Sequence, residues 1–576
     1  MAVLHKLSIR NFRGLKEFDQ VFGAGLTCII GRGDSGKSTI LDAINYTFSS
    51  SWGIHFNDSD FYNCDMTNPI VIEGTVTGVP EKLLSQYAAH VRGILPNGDI
   101  CDDMEDPGAA ELVSALTIRL TVTKDLEPSW DVVSNRGQEP MPIKSSRRAL
   151  LNVFSVADFN DRHFSLNKGN PLYTLYKQLT GEDILDGENK VLDVMREAKK
   201  EFDTSISGKF KEVIDKVKVV ATELGVNLNE ITAALDHRDI AISENKVSIH
   251  EEGVPFRLKG KGSKRLLSLA IQMSLTQPSG IILIDEIEQG LEPDRVQHLV
   301  NVLSRYTDKQ IFITTHSSHV IVEIPCNSLC IMRENHTSLI HVKGCMQNVV
   351  RSNPEAFFAK KVVVCEGPTE IGIFRAINEY MLNNIGRSAS HYGVRFANGG
   401  GRNMDQYVRG FIGLGYQCCL FCDSDDDNIN AQKKDFVAIG VEVVDCLPSN
   451  YLEKQVFADL PMAGVTELIG IYRSIIVNEE DGLISEDDAD KCIFDSVKSK
   501  SMNGRDTTYR QDWACGDSSD LREALAKASI SKKNPWFKNQ TRGMLMGRVI
   551  LKYCHSMSNT NHLKVEVNKI IEWIKA

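Results

Sequence analysis

The chain has 576 residues, the apolar and charged fractions of an ordinary soluble protein, and a formal net charge of −11. That length predicts several domains, no run approaches a membrane span, and the acidic balance excludes a protein coated in basic surface. Nucleic acid stays open as a partner, because a metal-dependent phosphodiesterase must gather carboxylates that its cations neutralise locally.

Met1 to Ile9 alternates like a strand and carries no secretory h-region, so the expectation is a cytoplasmic protein. Residues 1–50 read as strand, turn, strand, glycine-rich loop, helix. The loop is Gly31-Arg32-Gly33-Asp34-Ser35-Gly36-Lys37-Ser38, between the apolar strand Leu26 to Ile30 and a helix opened by Thr39-Ile40-Leu41. This is G-x-x-x-x-G-K-S in the strand-to-helix setting a P-loop requires. Backbone N–H groups of the loop would close around the phosphates of ATP, and the helix N-terminus adds partial positive charge. Lys37 would reach the β/γ-phosphates, and the Ser38 hydroxyl would sit on Mg²⁺.

Asn57 to Phe61 and a strand from Ile70 to Val76 follow. Residues 95–110 are rich in Gly, Asp and Pro and read as a surface loop; Leu116 to Val122 alternates as a strand. From Pro171 to Leu228 the pattern turns helical. Leu192, Met195, Ala198, Phe202, then Phe210, Val213, Ile214 and Val217 recur at three- and four-residue steps. The stretch is too short for a coiled-coil arm and reads as packing or dimerisation material.

Leu258 to Arg265 is a basic turn before a helix from Leu266 to Leu275. Gly260, Gly262 and Ser263 would form another phosphate cradle there, and a flexible basic turn fits equally. Ile281-Ile282-Leu283-Ile284 is a buried central strand ending in Asp285 and Glu286. Asp285 fits the Walker B role of holding Mg²⁺ through water, and Glu286 the base that polarises the attacking water. Gln289 to Pro293 follows, and Ile311 to Thr315 is a strand ending at His316.

The C-terminal part restarts an α/β pattern. Lys361 to Cys365 is a strand, followed by Glu366-Gly367-Pro368-Thr369-Glu370 at a helix start. Cys418 to Cys422 is another strand, ending in Asp423-Ser424-Asp425. Strand ends of a parallel sheet would bring Glu366, Asp423 and Asp425 together, and hard carboxylate oxygens suit Mg²⁺ or Mn²⁺. Fourteen cysteines are scattered through the chain; with no paired C-x-x-C frame they read as reduced core thiols.

Ile9-Arg10-Asn11-Phe12-Arg13 resembles the strand that precedes the P-loop in SMC- and RecF-related ATPases. The order P-loop, Gly260–Ser263 signature, Asp285-Glu286, Gln289–Pro293 D-loop and His316 H-loop resembles ABC-type ATPases. No glutamine stands in an obvious Q-loop place. Glu366-Gly367-x-x-Glu370 with Asp423-x-Asp425 resembles the Toprim fold. Together the chain resembles the OLD (overcoming lysogenization defect) family of nucleases. The fold implied is α/β: an ABC-type (SMC/RecF-like) ATPase head with a helical dimerisation insertion, then a Toprim domain. Its parts would be residues 1–165 and 236–350 for the ATPase, 166–235 for the insertion and 351–576 for the Toprim domain.

The resemblance implies the remaining site residues. Glu370 and Glu453 would join Glu366, Asp423 and Asp425 as metal ligands of a two-metal site, and Lys538 would stabilise the scissile phosphate. Gly31, Gly33, Asp34, Ser35, Gly36, Lys37, Ser38 and Thr39, with Asp285, Gly260, Gly262 and Ser263, would hold ATP and its Mg²⁺ between the heads of at least a homodimer. Glu286 and His316 would serve hydrolysis. The activity implied is an ATP-regulated, divalent-metal-dependent DNA endonuclease in phage defence or phage–host conflict. It would work alone, with a partner defence protein, or with a reverse transcriptase and its DNA–RNA product, and with no membrane. The other reading is an ATP-driven DNA clamp or sensor whose Toprim domain is a docking or toxin module.

Overall fold

Five apolar residues, Leu26–Ile30, are all buried, as befits a parallel strand with neighbours on both sides and both faces covered. In the computed structural model its sheet has six strands in the order Val153–Val156, Ile281–Ile284, Gln310–Thr314, Leu26–Ile30, Leu329–Ile331, Ile340–His341. All pairs are parallel except the last. The strands ending in the P-loop and in Asp285 therefore flank the strand that leads to His316. The structure describes residues 2–50, 53–102, 112–156, 161–165, 170–181, 210–226, 228–236, 246–275, 280–333, 337–479, 485–500, 517–532 and 534–576. The chain divides into two compact units, Met1–Gln347 and Asn348–Ala576.

The first unit also holds an eight-stranded sheet built around Val3–Phe12, Ile70–Thr77 and Val113–Val122, with antiparallel pairing. The helix Lys37–Phe48 buries Ile40, Leu41, Ile44 and Phe48. Phe48 lies against Gly74 of the sheet, where any Cβ would collide with the ring. Arg13 ties the same helix to the sheet. Its guanidinium pairs with Asp42 and, at 2.8 Å, with Asp60.

Three local readings change. Ile100–Cys101 pairs with Arg92–Ile94, so the expected surface loop begins as a hairpin; 103–110 lie outside the described residues. The basic turn is shorter than its glycines indicate, because the helix already runs from Lys261 to Leu275. Gly260 O accepts the first helical bond, from Lys264 N. Gly262 is tolerated in the opening turn because a Cβ there would sit 2.7 Å from Gly290 O. Of the helical stretch, Pro171–Thr180 and 210–223 are helical, with Tyr176 and Phe210 rings 4.7 Å apart; Leu192, Met195, Ala198 and Phe202 lie outside the described residues.

The second unit is a four-stranded parallel sheet in the order Val394–Asn398, Lys361–Cys365, Gln417–Phe421, Glu442–Val444. Helix Pro368–Ile385 packs against helix Gln540–Tyr553 at backbone distance. A Cβ on Gly543 would lie 2.7 Å from Thr369 O, and one on Gly547 would lie 2.7 Å from Ala376 Cβ. Small residues on both helices permit this approach. The described cysteines are free thiols, and those of the sheet, including Cys365, Cys418 and Cys419, are buried. Among the described residues no helix is long and apolar enough to cross a membrane.

Candidate functional site

At the P-loop the chain turns through left-handed backbone at Asp34 (φ 59°) and Gly36 (φ 95°), which aims successive N–H groups into one concavity. Gly31 admits no side chain, since a Cβ there would strike the Met332 carbonyl. Lys37 is buried and donates to Gly31 O at 3.1 Å and Arg32 O at 2.8 Å. Burial pulls its pKa down, against the pull of Asp285, Glu286 and Asp34. Ser38 is exposed and Thr39 half-buried on the first turn of the helix.

Thr314 organises the acids opposite. Its Oγ donates to Asp285 Oδ1 and accepts from Glu286 N at 2.8 Å. Glu286 is exposed and held at φ 45°, a conformation that costs a non-glycine residue energy and clusters at functional sites. Arg265, on helix Lys261–Leu275, donates to the carbonyl oxygens of Asp285 and Glu286 and to Gln289 Oε1. Glu288 accepts from Thr315 Oγ and from His316 N, both at 2.7 Å, and so fixes the backbone of the exposed His316. The sequence reading singled out none of Arg265, Glu288 and Thr314. Their signal is the hydrogen-bonding they supply to motif backbone, which no residue pattern displays.

In the second unit, the sheet's strand ends bring together Glu366, Asp423 and Asp425, whose ligand oxygens lie within 4.8 Å of one another. Glu366 Oε2 accepts from Asp423 N at 3.0 Å, so the two strand ends are stitched directly. The glycine loop after Asn398 closes the edge, with Gly399 N on Cys365 O at 2.7 Å and Gly401 N on Glu366 O at 3.0 Å. Glu366 and Asp425 open onto a cleft of about 640 Å³ with Gly401, Met404 and Asn428. Asp426 caps helix Asp427–Ala438 by accepting from Asn428 N at 2.8 Å.

Glu370 and Glu453 do not join that group of three. Glu370 turns back to accept from Gly367 N at 2.9 Å. Glu453 is fully buried on helix Leu452–Asp459 and pairs with Lys538 Nζ at 3.1 Å. Lys538 is placed by its neighbours. Trp536 is buried and stacks on Tyr472 at 4.5 Å, and Phe537 O accepts from Thr369 Oγ at 3.1 Å.

The electrostatics fit divalent cations. Burial, a hydrogen bond with Asp425, and the charges of Glu366, Asp425 and Glu370 push the Asp423 carboxyl far above the usual carboxylate range. Burial likewise pushes Glu370 up to about 7, helped by Glu366 and Glu453. Two carboxylates 4.8 Å apart, the widest separation possible within the group, repel by about 3–4 kcal/mol at an effective dielectric near 20, less where one is exposed like Asp425. Burial lowers the Lys538 pKa, but Glu453, Glu370 and Asp423 outweigh it and the net shift is upward. Hard oxygens in surplus over ammonium are a donor set for Mg²⁺ or Mn²⁺. A second group, Asp445, His562 and Glu566, also lies within 4.8 Å. Its charge is already matched, by Lys433 at 2.9 Å from Asp445 and Lys569 at 3.2 Å from Glu566. Lys433, which the sequence reading also passed over, donates to Asp423 O and Ser424 Oγ and so braces the Asp423–Asp425 turn from behind.

Residues 357–425 match the family described as overcoming lysogenization defect protein-like, TOPRIM domain. Residues 3–125 match the AAA ATPase domain family, and 157–323 an AAA domain family described under the AbiEii toxin and type IV TA system. The DNA replication and repair protein RecF of Acholeplasma laidlawii is 22 % identical over 343 residues, 54 % of this chain and 93 % of that protein. RecF of Parabacteroides distasonis is 21 % identical over 363 residues, 56 % and 93 % of the two chains. A crystal structure of an SMC head bound to the C-winged helix domain of ScpA is 16 % identical. It covers 60 % of this chain and 99 % of its own, with a TM-score of 0.37.

Proposed function

The chain joins AAA ATPase domains to an OLD-like Toprim domain, which is the architecture of the OLD family, and from that premise we propose that it is an ATP-regulated, divalent-metal-dependent DNA endonuclease. The observation that carries the reading is the convergence of Glu366, Asp423 and Asp425 within 4.8 Å at the strand ends. With Glu370 and Glu453 added and the Lys538 ammonium subtracted, Lys433 being paired with Asp445, the fully ionised site has a surplus of about four negative charges, the charge of two divalent cations. Those cations, when bound, supply Lewis acidity to the attacking and leaving oxygens of an in-line displacement.

The residues divide the remaining work. Glu366, Asp423 and Asp425 form the primary cation seat, and Glu453 with Glu370 the second. Lys538 neutralises charge on the scissile phosphate as it becomes pentacoordinate. In the first unit, Lys37 and the P-loop N–H groups hold the phosphates of ATP, Ser38 and Asp285 hold its Mg²⁺, and Glu286 orients the attacking water. Gly260, Gly262 and Ser263 would complete the site on a second copy. Support for DNA comes from the RecF relatives, which are by name DNA replication and repair proteins. The biological setting in this reading is phage defence or phage–host conflict, alone or with a partner that supplies the trigger.

The test is plasmid cleavage by the purified full chain with Mg²⁺ or Mn²⁺. Asp423→Ala abolishes nicking and leaves ATP hydrolysis intact. Lys37→Ala abolishes ATP hydrolysis and leaves the metal site able to cut, in a deregulated form. Wild-type cutting by Asp423→Ala would refute the site.

A further inference from the structure

Glu453 has no exposed surface. A buried carboxylate with no countercharge costs several kcal/mol, and its counterion here is the Lys538 ammonium. That pairing is incomplete. Nζ lies 3.1 Å from Oε1 and 3.3 Å from Oε2, but the directed hydrogen bond goes to Oε2, and Oε1 has no hydrogen-bond donor. A wholly buried carboxylate oxygen is thus in ion-pair contact with the ammonium but receives no directed hydrogen bond. The lysine side chain, by contrast, is 44 % exposed. Its flexible four-carbon stem lets the head move without disturbing Trp536, which anchors the segment.

We propose that Lys538 is the counterion of Glu453 only until a second divalent cation takes that carboxylate, and that the displaced ammonium is then free to engage the phosphodiester. The proposal rests on the two-cation nuclease reading and adds an order of events to it. A dication and an ammonium cannot share one buried carboxylate without repelling each other, and the dication carries twice the charge and prefers hard oxygen. The phosphate-neutralising lysine becomes available only when the metal site is filled, so a half-loaded site does not cut.

The measurement is calorimetric Mn²⁺ titration of the nucleotide-free full chain, for wild type, Lys538→Met and Glu453→Gln. Lys538→Met tightens the weaker Mn²⁺ site by about tenfold, a size tempered by the screening of a half-exposed ammonium, while cleavage falls. Glu453→Gln loses that weaker site. If Lys538→Met leaves the weaker site unchanged or loosens it, while Glu453→Gln still removes it, the competition is refuted and the nuclease reading stands. If wild type binds no second Mn²⁺, the two-cation reading itself falls. Should Lys538→Met fail to fold, labelling of wild type with an amine-reactive reagent decides the matter. Labelling of Lys538 rises on Mn²⁺ saturation if the ammonium is displaced; unchanged labelling overturns the proposal.

Discussion

The Glu370 carboxyl is only 5 % exposed, and burial pushes its pKa from the ordinary 4.5 up to about 7. The metal-free fold thus keeps a proton that the unfolded chain gives up in mild acid. That contribution to stability is fully present below about pH 4.5 and is lost as pH rises through about 7. In chelator, the melting temperature of this unit therefore falls between about pH 5 and pH 8, and Glu370→Gln flattens the slope. Saturating Mn²⁺ at the upper pH restores stability, because the cation binds the native state alone. Calorimetry at four or five pH values checks this, and identical slopes for wild type and Glu370→Gln would contradict it. At the same scale, Thr314, Glu288 and Lys433 act through atoms that motifs leave unnamed: a hydroxyl, a carboxylate and an ammonium bonded to the loops carrying the chemistry.

Among elements, the pair Pro368–Ile385 and Gln540–Tyr553 sets where Glu370 and Lys538 stand beside the strand-end acids. Glu370 stands on the first turn of one helix, and Lys538 immediately precedes the other. Their backbones meet through Gly372, Gly543 and Gly547, and Cβ atoms at the first two would meet backbone, which cannot step aside. Gly543→Val overpacks that contact by about 1–3 kcal/mol, lowering the melting temperature by about 2–4 °C per kcal/mol for a unit of this size. The helices separate and Lys538 moves away from Glu453, so DNA nicking drops steeply while ATP hydrolysis persists. Undiminished nicking by Gly543→Val would show that the close approach is not what sets the site.

At the scale of the whole molecule, one chain carries one P-loop and one Gly260–Ser263 helix start, so nucleotide closes two copies together in this reading. Glu286→Gln, which binds ATP without hydrolysing it, sediments with more dimer when ATP is added, and Lys37→Ala shows no such response. Equal sedimentation with and without ATP would remove the dimer from the scheme. Much of this was legible in residue order alone. The P-loop, Asp285-Glu286, and the acids ending Lys361–Cys365 and Gln417–Phe421 could be read because each lies on a buried apolar strand whose end must turn, and turn chemistry is local. Local pattern did not reveal that Glu370 bends back to its own helix start, or that Gly262 opens a helix. Nor did it reveal that Arg265, Glu288, Thr314 and Lys433 hold the motifs in place. Those contacts span from 3 to 29 residues of chain; they form where backbone hydrogen bonds and buried charges must be satisfied, and only the packed tertiary structure determines who satisfies them.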